Sequence, residues 1–185
     1  MKDDVGSVVL ALASQADAAV FLIQAVAVVV GLVFIAQALL RLVEASKSGG
    51  QHQGPGAVGF SKPLLGIILG SSLINFGFTV SSMVETIFGD TVEYSHIVSY
   101  SQQVNYGTGE WKLVIQGMAA LVAVFGAYAI FEGFLFWKKC ADGNSGEDYF
   151  RKGLTHILGG AAAVNIVGTI SLLTDTAGVN LSNYF

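Results

Sequence analysis

The segment Phe60–Thr86 is written a second time, ninety positions later, as Phe150–Thr176. Phe60 matches Phe150, Lys62 matches Lys152, Leu64 matches Leu154 and Ile67 matches Ile157. Gly70, Asn75, Thr79, Ser81 and Thr86 match Gly160, Asn165, Thr169, Ser171 and Thr176, and Glu85 matches Asp175 with its charge kept. A duplicated unit must fold the same way twice. Whatever holds one copy together is therefore expected in the other.

The unit is apolar. Only 12% of the 185 residues are charged, against about 25% in an ordinary soluble domain. Four segments are long enough to cross a bilayer, which takes about 20 mostly apolar residues. They are Ala18–Leu42, Leu64–Phe88, Leu113–Trp137 and Leu154–Leu173. None alternates apolar and polar residues at period two, so helices are expected and strands are not. Helices also satisfy their own backbone groups in lipid. The expected fold is an all-α membrane protein with four transmembrane helices, paired as two helical hairpins. Residues 1–17 form a polar or interfacial N-terminal segment. Residues 18–88 form the first hairpin, 89–110 an outer loop, 111–175 the second hairpin and 176–185 an outer tail. Met1-Lys2-Asp3-Asp4 lacks the basic start of a secretory signal, and the apolar run Val8–Ala13 is short for one.

The charges orient the hairpins. Arg41, Lys47 and Lys62 flank the first loop, and Lys138, Lys139, Arg151 and Lys152 flank the third. The loop between the hairpins carries Asp90, Glu93 and Glu110 and no Lys or Arg. The positive-inside rule then places loops one and three in the cytoplasm, with both termini outside. The two hairpins have the same orientation, so the repeat is parallel rather than inverted. A weaker echo links the first helices at an offset of 92, where Ile23-Gln24 meets Ile115-Gln116, Ala27 meets Ala119 and Lys47 meets Lys139.

Ser72, Asn75, Thr79, Ser82 and Glu85 follow one another at helical spacing and are expected on one face of the second helix. Asn165, Thr169 and Asp175 take the matching face of the fourth. Two readings stand for these faces. One is glue between helices, since buried polar groups in lipid seek partners and small residues let backbones approach. The other is a polar track for an ion or substrate. Gly70, Asn75, Thr79, Gly160, Asn165 and Thr169 are the packing candidates. Glu85 and Asp175 fall toward the outer ends of their helices, and no carboxylate falls at mid-membrane, where it would mark a pathway. Glu132 is expected to pair with Lys138 or Arg41, or to reach the interface.

No enzymatic activity is expected. His52, His96 and His156 lie in different segments without ligand spacing, and no nucleophile or phosphate-binding motif is present. His156 is expected at a helix start, facing water. A single cysteine, Cys140, excludes an intrachain disulfide and a cysteine metal cage. The basic loop residues Lys47, Lys62, Lys138, Lys139, Arg151 and Lys152 suit anionic headgroups or another polyanion. Tyr94, Tyr100 and Tyr106 give the outer loop an aromatic contact surface or an interfacial belt.

A two-helix unit with a basic cytoplasmic loop and outward termini resembles the VirB2-type pilin of conjugation and type IV secretion systems. The chain resembles two such units fused. The run His156-Ile157-Leu158-Gly159-Gly160 followed by Asn165 is similar to small membrane proteins of the type IVB branch, the IcmC/DotE and TraQ group. The resemblance implies a structural, pilin-like inner-membrane subunit that polymerises as a homo-oligomer or filament with other secretion-system subunits. It implies membrane lipid as a partner, with bound phospholipid in subunit contacts and no other cofactor. It also implies an extracellular pilus after assembly and a lumen for single-stranded DNA or protein cargo. The six basic loop residues would face that lumen. The expected departures from that family are two hairpins instead of one and no long cleaved leader. A rotor-ring proteolipid and a small four-helix ion or solute transporter are the alternatives.

Overall fold

In the computed structural model, residues 8, 11, 14–47, 61–89, 110–143 and 146–178 are described. Among them the chain is helical and forms no strand. Helix α1 runs Ala16–Lys47, α2 Ser61–Ile74, α3 Phe76–Phe88, α4 Glu110–Ala141, α5 Gly146–Val164 and α6 Ile166–Thr176. The acidic and tyrosine-bearing stretch 90–109, the first loop with His52 and the tail from 179 onward lie outside the described residues.

Helices α1 and α4 are 32 residues each. At a rise of 1.5 Å per residue each is about 48 Å long, more than the ~30 Å of a bilayer's hydrocarbon core. Both are apolar enough to cross a membrane. Helix α1 buries Val20, Ala27, Gly31, Phe34 and Ala38 on one stripe. Its other faces expose Phe21, Leu22, Val29, Leu32 and Leu40. A helix that is apolar all round needs an apolar surrounding. With most of that surface uncovered by protein, the helices suggest a membrane protein.

Each hairpin closes where glycine meets glycine. A Cβ built on Gly31 would lie 2.6 Å from the Gly70 carbonyl oxygen, and one on Gly126 would lie 2.6 Å from the Gly160 oxygen. Further along, Gly66 packs on Ala38, and Gly133 packs on Gly153. The sequence order of these contacts makes α2 antiparallel to α1, and α5 antiparallel to α4. The hairpins therefore equate Gly31 with Gly126, an offset of 95. The offset of 92 read from Ile23-Gln24 and Ala27 does not describe the packing, because the close backbone approach of Gly31 to Gly70 and of Gly126 to Gly160 fixes the register.

The second and fourth expected spans are not single straight helices. The chain bends by 94° between α2 and α3, and by 96° between α5 and α6. Two helices can cross a membrane outright, or four spans result if each bent pair counts as one. The break also dissolves the single polar face expected of Ser72, Asn75, Thr79, Ser82 and Glu85. Ser72 belongs to α2, Asn75 sits at the corner, and the last three belong to α3.

The two hairpins share one core. Leu69, Leu73, Phe76, Val80 and Val84 from the first meet Ala120, Ala127, Ile130, Phe131, Ala161 and Val164 from the second. Phe76 stands edge-on to Phe131 at 6.4 Å between ring centres. Arg41, near the end of α1, reaches Asp142, just past the end of α4. The C-terminal ends of α1 and α4 thus lie at the same pole.

Candidate functional site

Two constructions carry the repeated and charged residues. The first is the corner. Asn75 and Asn165 leave helical geometry with φ/ψ of −101°/44° and −107°/62°. A helix that ends there orphans its last carbonyls. In both corners a threonine four residues on repairs the loss. The Thr79 hydroxyl lies 2.9 Å from the Ser72 carbonyl oxygen and 3.0 Å from that of Asn75. The Thr169 hydroxyl lies 2.8 Å from the carbonyl oxygens of both Ala162 and Asn165. The backbone N–H of each threonine donates to the asparagine carbonyl, at 2.9 Å in both copies. The repeated Gly-x4-Asn-x3-Thr is thus two devices in series. Gly70 and Gly160 press each second helix onto the first, and the Asn and Thr turn the chain through a right angle.

The copies differ at one atom group. The Asn165 side chain is fully buried, and its Oδ1 accepts the Gly168 N–H at 2.9 Å, an N-cap for α6. Asn75 is exposed and makes no such cap; its Nδ2 reaches back to the Ser71 carbonyl at 3.4 Å. The reason is the residue three positions on. A Cβ on Gly168 would come within 2.8 Å of Asn165 Oδ1. The first copy has Phe78 there, so its asparagine cannot fold over the helix start.

The second construction is the charged pole. Lys138 is 6% exposed, although it was expected to face a lumen or headgroups. Its ammonium donates to both carboxylate oxygens of Asp142, at 2.6 and 2.7 Å, and lies 5.2 Å from the Phe34 ring centre. Arg41 bonds the same carboxylate. Burial pushes the Asp142 carboxyl up, but the hydrogen bonds from Lys138 and Arg41 outweigh it and hold the carboxyl below its ordinary range. This network ties α1 to α4 and takes both cations away from Glu132. The Glu132 carboxylate instead lies 3.8 Å from His156 Nε2.

His156 is not at a helix start. It lies ten residues into α5, packs edge-on against Phe136 at 5.0 Å, and has Nδ1 2.8 Å from the Lys152 carbonyl oxygen. The helix begins earlier than expected because Glu147 and Asp148 occupy its first turn, where carboxylates favour the N-terminal dipole.

Lys47, Lys62, Lys139, Arg151 and Lys152 are exposed. Around them lies an aromatic patch. Trp137 stacks on Phe150 at 5.9 Å and donates its indole N–H to the Phe150 carbonyl. Phe136 stacks on Tyr149 at 6.2 Å. Lys139 lies over both of these rings, and Lys152 over Tyr149. Aromatic rings beside cations are the composition of a membrane–water interface. Lys62 reaches the same pole, its ammonium close to the tight turn at Gly143, where φ is 92°. Among the described residues, no three His, Cys, Asp or Glu side chains converge as a metal site.

Reasoning from sequence missed Asp142 as the centre of an ion network. Its one signal was the i, i+4 spacing from Lys138. Compared with protein-family models, curated proteins and solved structures, the chain matches none.

Proposed function

We propose that this chain is a structural, multi-pass subunit of the inner membrane in a conjugative or type IV secretion apparatus. It is pilin-like and polymerises into a filament that supports DNA or protein transfer. The observation that carries the reading is the duplicated hairpin itself. Two antiparallel helix pairs, each closed by a glycine–glycine contact, put their basic ends at one pole. That is the design of a two-helix pilin unit with a basic loop, written twice. The basic pole faces the cytoplasm before assembly and the lumen afterwards, and phospholipid fills part of the contacts between copies.

In this arrangement the corners fall well into the bilayer. Thirteen residues separate Lys62 from Asn75, and fourteen separate Arg151 from Asn165. At 1.5 Å each the corners stand about 20 Å from the basic pole, roughly two-thirds of the way across the hydrocarbon. Helices α3 and α6, turned by 94° and 96°, then run along the outer leaflet rather than through it.

The 94° and 96° corners also favour a second reading, a small ion or solute transporter, because broken helices often line substrate sites. Against it, each threonine hydroxyl occupies two of the carbonyl oxygens at its corner, those of Ser72 and Asn75 in one copy and of Ala162 and Asn165 in the other. The nearest repeated carboxylates, Glu85 and Asp175, lie ten residues beyond the corners.

Negative-stain imaging of membranes and shed material from cells making the protein separates the readings. Filaments that contain the chain are expected. Protein confined to the membrane that conducts an ion or solute in proteoliposomes would replace this reading with the second.

A further inference from the structure

Helices α3 and α6 are equivalent by sequence and by their corners, but only one is covered. In α3, Phe76, Val80 and Val84 are 1%, 0% and 0% exposed. In α6 no residue is buried. Ile170, the counterpart of Val80, is 37% exposed, and Leu172 and Leu173 are 52% and 60% exposed. Both arms pack on the two helices of their own hairpin. The difference is that α3 also packs on α5 of the other hairpin, where Ser82, Met83, Ile157 and Leu158 line a shared groove of about 450 Å³. For α6 a matching hairpin would have to come from outside the chain.

The repeat says what that hairpin would offer. Advancing ninety positions turns Ser82 and Met83 into Leu172 and Leu173. Stepping back ninety turns Ile157 and Leu158 into Ile67 and Ile68 on α2. Ile68 is 53% exposed, close to the 50% of Leu158, so α2 presents outward the same kind of side chain that α5 presents to α3. Every unmet half of the internal contact is therefore present on the chain, at the opposite end of the repeat from its partner.

We propose that α6 docks on α2 of a second copy of this chain, placing Leu172 and Leu173 against Ile67 and Ile68, and so continues the contact that α3 makes with α5 inside each chain. Donor and acceptor are different surfaces, so the contact is heterologous. It grows copy upon copy into a ring or an open filament. Lipid satisfies exposed leucines as readily as protein does, so close packing rather than apolar burial selects the copy. This deepens the subunit reading and rests on it only for the presence of many like chains in one membrane.

The test is disulfide trapping in native membranes, in a Cys140→Ser background. One tagged copy carries Leu172→Cys and a differently tagged copy carries Ile68→Cys. Oxidation is expected to link the two tags as the main product, and a chain carrying both substitutions is expected to give a ladder of dimers, trimers and above. The pair Leu173→Cys with Ile67→Cys repeats the test if one substitution disturbs insertion. Phe125→Cys, exposed on α4, is expected not to link to Ile68→Cys. Inserted chains that remain monomeric in both pairings would overturn the proposal, as would Leu172→Cys linking mainly to itself. Filaments without these crosslinks sink the docking and spare the subunit reading. A ladder in membranes that yield no filaments does the opposite.

Discussion

Thr169 hands its hydroxyl to the carbonyl oxygen of Ala162, seven residues back and across a right-angled corner, at 2.8 Å. Thr79 does the same for Ser72 at 2.9 Å. In an apolar surrounding a carbonyl without a donor costs about 1–3 kcal/mol. The threonine is thus part of the corner's construction rather than a face turned toward a neighbour.

Thr169→Val keeps the shape and removes the donor. It is expected to lower stability by about 1–2 kcal/mol, read as a drop in Tm in detergent, while Thr169→Ser stays close to the parent. Thr79→Val is expected to behave alike. Equal melting of the Val and Ser variants would show that the hydroxyl is idle.

The asparagines are expected to differ. Asn165→Ala loses a buried cap, at about 1 kcal/mol, whereas Asn75→Ala loses only a long contact and is expected to cost a few tenths. Gly168→Ala should reproduce much of the Asn165→Ala loss, because its Cβ meets the capping side chain. Thermal melts of the three single variants decide this.

Gly160 and Gly159 are neighbours with opposite surroundings. A Cβ on Gly160 meets the Gly126 backbone oxygen at 2.6 Å, and backbone cannot rotate out of the way as a side chain can. Gly160→Ala is expected to force α4 and α5 apart at about 1–3 kcal/mol. A Cβ on Gly159 meets nothing within 4 Å, and Gly159→Ala is expected to be neutral or to stabilise by up to about 1 kcal/mol. The ordering of the two melting temperatures is the measurement.

The parts of the fold that could be read from sequence were those where one residue type has one use. Gly70 and Gly160, repeated inside apolar runs, announced close helix contacts, and the lysine-rich loops announced a common pole. Their partners Gly31 and Gly126 were hidden, because first helices selected mainly for lipid contact keep few telling identities. The corners were hidden for another reason. Asn and Thr also serve on straight helices, Phe76, Phe78, Val80, Met83 and Val84 carry the apolar character on past Asn75, and no proline marks the turn. Lys138 was misplaced because a lysine beside Lys139 reads as a solvated pair until Asp142, one turn on, is seen to draw it inward.

Asp142 links folding to pH. Its carboxyl is held below the ordinary 3.8 by Lys138 and Arg41. The unfolded chain therefore takes up the proton first as pH falls. The stability that Asp142 adds is complete above its ordinary value, and it drains away below that, through the lower folded-state value. Melting temperatures between pH 6 and pH 2 are expected to fall more steeply for the parent than for Asp142→Asn. The variant itself starts lower at pH 6, because it strands Lys138, a buried ammonium, with only a neutral amide. Stranding one partner of a buried pair costs about 3–5 kcal/mol, and the partial exposure of Asp142 puts this case at or below the lower figure. Parallel pH profiles for parent and variant would show that the network contributes nothing to folding.

The sidedness of the hairpins is open to chemical labelling. In a Cys140→Ser background, Lys47→Cys and Lys152→Cys report on the basic pole, and Glu85→Cys and Thr176→Cys report on the far ends of the two arms; all four positions are exposed. A membrane-impermeant maleimide is expected to label the first pair only in inverted vesicles and the second pair from the outside of intact spheroplasts. The cause is the loop bias in Lys and Arg, which sets the orientation of a multi-pass chain. If Lys47→Cys and Lys152→Cys were labelled from opposite sides, the two hairpins could not share a pole, and the ion pair between Arg41 and Asp142 could not form.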